Sequence, residues 1–222
     1  MGGFFATARA RFSMLGASLF WGAAAVLRVL LVAWAPAVLA LGSAADISEL
    51  TLALAIGIIV GAVLVPRLIP MGRLRRARLA AYGMGALILV LAAVDSVWPA
   101  RVVLFGIGVC GGLFVVPINA ALQEIGHRTI GAGGAVAIQH FFENLAMLAA
   151  VGLYTYMTTR AIQPVMTMVG LGALVLIATA LVSWRLPPAN HPPILAAMPP
   201  KTLPPAKPPM MPPTMVPTRE SR

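Results

Sequence analysis

The chain has 222 residues, 60% of them apolar and only 10% charged, with a mean hydropathy of +0.92. A soluble domain carries about 25% charged residues, so there is too little polar surface here to dress a water-soluble globule, and the composition is that of a polytopic membrane protein. The net charge of +10 is not a nucleic-acid signal, because the basic residues lie mostly between apolar runs without interleaved aromatics or a nucleic-acid motif; the lone Cys110 excludes a disulfide framework, Cys-rich zinc sites and CxxC redox chemistry.

A bilayer core of about 30 Å needs roughly 20 apolar residues as helix. Six stretches qualify, at about 14–41, 47–69, 77–98, 101–122, 133–157 and 163–184. They predict an all-α membrane domain over 14–186, preceded by a cytoplasmic segment, 1–13. The first run is too long and too polar at its centre for a signal-peptide core. Turn-forming residues separate the runs: Gly42-Ser43 with Asp46, the basic stretch Arg67 to Arg78, Pro99, Gly131 to Gly134, and Pro164. The very short third-to-fourth connection predicts a tight antiparallel hairpin. Glycines at 57 and 61, and at 106, 108, 111 and 112, permit close helix–helix packing. After Pro187 the character changes: thirteen of the nineteen prolines fall in 187–222, together with Lys201, Lys207, Arg219 and Arg222. That composition predicts a basic, disordered, polyproline-like tail.

Orientation follows from the arginines of the short loops. With the N-terminus inside, Arg9, Arg11, Arg67, Arg73, Arg75, Arg76, Arg78, Arg128 and Arg185 are cytoplasmic, and only Arg101 and Arg160 face out. Both termini are therefore expected in the cytoplasm.

Ionisable residues at membrane depth are costly, so each is a candidate for function. Arg28 lies mid-way along the first run and Glu143 near the middle of the fifth, in Gln139-His140-Phe141-Phe142-Glu143-Asn144. At 1.5 Å per residue they sit about 21 Å and about 15 Å from their cytoplasmic ends, a separation that a long guanidinium can span. The spacing thus suggests an Arg28–Glu143 ion pair. Gln139 with Glu143, and His140 with Asn144, are i, i+4 pairs that form two adjacent rows on one side of a helix. Asn119 adds an amide just after Pro117. The third and sixth runs have no central charge, so the first, fourth and fifth are expected to line a polar cavity while the third and sixth face lipid.

Enzymatic readings find no support: HExxH, GxSxG, a phosphate-binding Gly-rich loop ending in Lys, and a close acid pair are all missing. His127 and His140 lack the acid five residues on that a membrane acyltransferase needs. No cofactor or metal is expected, and a coupling ion stays open.

Three stretches, FSMLGASLFWGAAAVLRVLLVAWAP from Phe12, GGLFVVPINAALQE at 111–124 and GAGGAVAIQHFFENLAML at 131–148, closely resemble the lysophospholipid transporter family of the major facilitator superfamily. The resemblance covers about residues 12–185 and matches the C-terminal six-helix half of a twelve-helix fold. It implies half of a major facilitator-type fold, in a multi-pass protein of the bacterial cell inner membrane. It further implies inward movement of lysophosphatidylethanolamine and lysophosphatidylglycerol, which an acyltransferase/acyl-carrier-protein synthetase then reacylates. Arg28, Asn119, Gln139, Glu143 and Asn144 match the family pattern as substrate or cavity residues, and Gln123 and Glu124 match as a cytoplasmic gate or loop; His140 is a cavity candidate by its place beside them on the helix, not by the pattern. The bulky His140-Phe141-Phe142 and the proline-rich tail depart from that pattern. The expected partners are the lysophospholipid itself, membrane lipids, and a missing N-terminal half or a second copy. Two other readings stay open: a facilitator-type carrier of a drug or organic ion, and a non-transporting membrane scaffold whose tail recruits a cytoplasmic protein.

Overall fold

A computed structural model describes residues 8–69, 76–129 and 131–184. Six helices follow in chain order: α1 Ala8–Leu39, α2 Ala44–Leu68, α3 Ala77–Ala92, α4 Val97–Thr129, α5 Ala132–Thr159 and α6 Pro164–Trp184. No strand occurs among the described residues, and every helix except α3 is long and apolar enough to cross a membrane. The chain is an all-α membrane protein. The tail expected over 187–222 lies outside the described residues, as do Arg73, Arg75 and Arg185 and the side chains of Arg9 and Arg128.

Local chemistry sets the helix ends. Ser43 caps α2: its Oγ accepts from the Asp46 N–H at 3.1 Å and its hydroxyl donates to Asp46 Oδ2 at 2.7 Å, which satisfies an orphan first-turn donor. Gly131 precedes α5 at φ 82 with no neighbour near its missing Cβ; this backbone, rather than a lack of space, is what asks for glycine. Inside the helices several hydroxyls turn back on their own backbone. Thr51 donates to the Ile47 carbonyl at 3.0 Å and Thr179 to that of Val175 at 2.6 Å, so neither needs water.

Three boundaries differ from those expected from hydropathy. α1 begins at Ala8, so part of the segment 1–13 is already helical. Pro99 stands in the first turn of α4, where a missing N–H costs nothing, and α4 runs unbroken past Pro117 to Thr129. The third helix ends at Ala92 rather than 98: the N–H groups of Ala93 and Val94 donate three residues back, to Val90 and Leu91, at 3.0 and 3.2 Å. This tightened turn closes the helix just before Asp95 and Ser96. α3 has 16 residues and rises only about 24 Å.

α2 packs along α4, α1 along α5, and α3 along α6; α3 also rests on α4, α6 on α1, and α1 crosses α4. Exchanging α1 with α4, α2 with α5 and α3 with α6 maps this pattern onto itself. With successive helices crossing in alternate directions, α1–α3 and α4–α6 form two repeats of inverted topology. Outward apolar surface is carried most heavily by α2 (Ile59, Val63), α5 (Leu145, Leu148) and α6 (Ile177, Leu181). The expectation that α3 would be a lipid-facing helix is therefore only partly met, because α3 buries Ala81, Met84, Gly85, Ile88 and Leu91, while α5, packed mainly on α1, leaves most of its circumference uncovered.

The tightest contact is between α2 and α4. A Cβ added to Gly57 would fall on the Phe105 carbonyl oxygen, one on Gly61 on that of Val109, one on Gly108 on that of Leu54, and one on Gly112 on that of Ile58. The two GxxxG faces meet backbone to backbone, and backbone cannot move aside as a side-chain tip can. Gly57→Val and Gly108→Val are each expected to cost on the order of 3 kcal/mol or more, seen as a large fall in Tm and folded yield in detergent. Gly152→Ala, with nothing within 4 Å of the new atom, should leave both unchanged.

Candidate functional site

Polar side chains at membrane depth collect where the last third of α4 leans on the first half of α5. Gln139 and Glu143 are buried there, Glu143 at 3% exposure, and Asn119 is half-buried on the facing side of α4. The Gln139 amide donates both to Glu143 Oε1 at 2.7 Å and to Asn119 Oδ1 at 3.1 Å. The i, i+4 spacing read from the sequence is thus realised as a hydrogen bond, and Asn119 extends it across the helix interface. His140 approaches the second Glu143 oxygen through Nδ1 at 3.2 Å, with its own side chain 63% exposed. Asn144 donates to the His140 carbonyl at 2.8 Å and is exposed. Asn119, Gln139, Glu143 and His140 therefore form one continuous polar strip running from a buried carboxylate to an open imidazole.

Arg28 is elsewhere. It lines a small cavity of about 100 Å³ between α1, α2, α3 and α4, beside Trp21, Leu54, Ile58, Ile107 and Gly108. The side chain is exposed, and among the described residues it makes no ion pair or hydrogen bond. The Arg28–Glu143 pair suggested by matching depths is not formed. Depth along two helices does not fix their rotation: Glu143 is buried with both oxygens met by Gln139 and His140 of its own helix, whereas Arg28 turns toward the wall made by α2 and α4. Trp21, two turns before Arg28, has a buried indole N–H without a partner.

The inverted repeats make the contrast informative. The crevice between α1 and α2 corresponds to that between α5 and α4 under the helix exchange. The first holds a cation over apolar Leu54 and Ile58; the second holds a carboxylate between the Gln139 amide and the His140 imidazole. Gln123, exposed, and Glu124, half-buried, follow Asn119 toward the end of α4, at the same end of the bundle as the start of α5. Among the described residues no three His, Cys, Asp or Glu side chains come together as a metal would need.

Sequence reasoning missed a second opening. α5 and α6 diverge from their short connection without packing on each other, and together with α1 they border a groove of about 600 Å³ lined by Gly22, Val26, Ala150, Leu153, Gly170 and Leu174 among others. The small residues at 22, 146, 149, 150 and 170 were the available signal, but small residues more often mark close packing than a gap.

No family model matches the chain, and no solved structure matches it. Curated relatives do. A lysophospholipid transporter of Photorhabdus laumondii is 42% identical over 177 residues, covering 79% of this chain and 44% of that protein. One from Shigella flexneri is 43% identical over 176 residues, with the same coverage, and one from Escherichia coli is 42% identical over 176 residues, again with that coverage. Over most of its length the chain is similar to lysophospholipid transporters, and it spans about 44% of the length of these relatives.

The strip makes a stability prediction. Gln139→Leu leaves the buried Glu143 and the Asn119 oxygen without their donor, a loss of about 1–3 kcal/mol. Adding Glu143→Leu removes the stranded carboxylate, so the double variant should melt higher than Gln139→Leu alone. Strictly additive Tm losses in detergent would show that the two side chains do not share the hydrogen bond.

Proposed function

We propose that these six helices form one wall of a path that carries lysophospholipids inward across the bacterial inner membrane, for reacylation by an acyltransferase/acyl-carrier-protein synthetase. One observation carries the reading: Arg28 is an exposed guanidinium at membrane depth, without a partner among the described residues and set over an otherwise apolar wall. A cation left unpaired in hydrocarbon is unfavourable, and a phosphodiester suits its planar set of donors. The apolar α2 and α4 surfaces beside it suit an acyl chain. The strip from Asn119 to His140 offers donors and acceptors to the rest of the headgroup. Similarity to lysophospholipid transporters supports the same substrate class, and the chain's span of about 44% of those relatives' length supports a second six-helix unit as the opposite wall.

The test is binding and flux in proteoliposomes. Fluorescent lysophosphatidylethanolamine should bind the six-helix chain and move inward only when a complementing six-helix unit is present. Arg28→Ala should weaken binding by about tenfold, ~1.4 kcal/mol, and Arg28→Lys by less. A monoacylglycerol with the same chain but no phosphate should bind wild type and Arg28→Ala alike; if it binds wild type as tightly as the lysophospholipid does, the proposal fails. Reporters inserted near Arg76 and Gln163 should read cytoplasmic and periplasmic respectively, as the arginine bias requires.

A further inference from the structure

The groove between α1, α5 and α6 is separate from both the Arg28 wall and the Asn119–His140 strip. Its lining is mostly apolar; the buried Tyr154 and Thr167 bring hydroxyls to it, and that of Thr167 is donated to the Gln163 carbonyl at 3.3 Å. At one end lie Met157 and Ile162, on either side of the α5–α6 connection, and Arg160 sits between them in the chain. Its backbone N–H donates to the Met157 carbonyl at 3.1 Å. Its guanidinium folds back on Tyr156, donating to the phenol oxygen at 2.9 Å and lying 5.2 Å from the ring centroid. Among the described residues Arg160 has no carboxylate partner, so its charge is oriented but not neutralised.

A methylene takes up about as much room as a water molecule, ~30 Å³. The groove's volume of about 600 Å³ therefore leaves room for ~20 methylenes, the length of a long acyl chain. We infer that this groove seats the acyl chain of a single-chain glycerophospholipid, with Arg160 holding its phosphate at the α5–α6 end. In the orientation set by the arginine bias, that end is periplasmic, so the groove collects the lipid in the outer leaflet before the lipid reaches Arg28. The inference rests on the proposed function and adds a loading site to it.

The probe is lysophosphatidylglycerol carrying a diazirine midway along its chain, photolysed with the full chain in liposomes and mapped by mass spectrometry. Label is expected on Leu153, Gly170 and Leu174, at least about fivefold above that from a diacyl phosphatidylglycerol probe. Ala150→Trp or Gly170→Phe should abolish it; Gly170 has nothing within 4 Å of an added Cβ, so that variant is the one expected to fold if the tryptophan does not. Arg160→Gln should raise the half-labelling concentration by about tenfold for the phosphate-bearing probe and leave a monoacylglycerol diazirine probe unchanged. Equal labelling by the diacyl probe overturns the inference, since any bilayer chain would then serve. Disulfide capture between cysteines placed at Leu153 in one copy and Leu174 in another overturns it in favour of a second copy covering the groove. Label at the Arg28 wall without label in the groove sinks only the loading site. Groove label that survives when Arg28-dependent binding is absent sinks only the function proposed above.

Discussion

Two helices touching backbone to backbone hold this bundle in register. Where α2 and α4 cross, Gly57, Gly61, Gly108 and Gly112 each lie against a carbonyl or Cα of the other helix, and in a bilayer such contact, rather than water exclusion, is what favours association. The position of α4 follows from it. α4 in turn carries Asn119 to the Gln139 amide and supports α1 through Gly16 against Phe114 and Ile118. The corresponding α1–α5 crossing is looser: a Cβ on Gly22 would meet the Ala146 carbonyl and the Ala150 Cβ at 3.4 and 3.5 Å, ordinary van der Waals separations. The repeat is thus symmetric in plan but unequal in tightness, and the groove opens on the looser side.

The polar groups follow the same rule of internal satisfaction. Threonine hydroxyls return to carbonyls of the preceding turn, Gln139 serves two acceptors, and Arg101 pairs with Glu49 and stacks on Trp98, 5.4 Å from its centroid, although the arginine Nε finds no partner. Against that background the groups left over stand out. Among the described residues they include the Arg28 guanidinium, the Arg160 charge turned onto a phenol, the buried indole N–H groups of Trp21 and Trp34, and the buried hydroxyls of Ser13 and Ser183. Two of these are cations with no carboxylate partner among the described residues, and Arg28 borders an apolar recess. Cationic ends beside hydrocarbon-lined space match the shape of a lipid with a phosphate at one end and a single tail.

Much of this was legible in the sequence because hydropathy and charge are properties of single residues. The number of helices, the depth of Arg28 and Glu143, and the i, i+4 relation of Gln139 to Glu143 follow from spacing alone. What was not legible depends on how helices are turned about their axes. An Arg and a Glu at compatible depths read as partners until rotation sets the Arg against α2 and α4 and leaves the Glu among donors of its own helix. The end of α3 was hidden for a different reason: Val94, Val97 and Trp98 keep the hydropathy high through the turn, and only the polar pair Asp95-Ser96 marks it. The groove was hidden because Ala149, Ala150 and Gly170 read as packing surface when no partner helix is known.

The shortness of α3 has a consequence for the membrane itself. A helix rising about 24 Å is set in hydrocarbon about 30 Å thick, with Arg76 and Arg78 at one end and Asp95 at the other. None of these can be drawn into the acyl region cheaply, so the lipids around α3 compress, the arginines reach up to their headgroups, or both. Either adjustment makes the bilayer beside α3 differ from that beside the longer helices, a mismatch carried on one flank of the bundle.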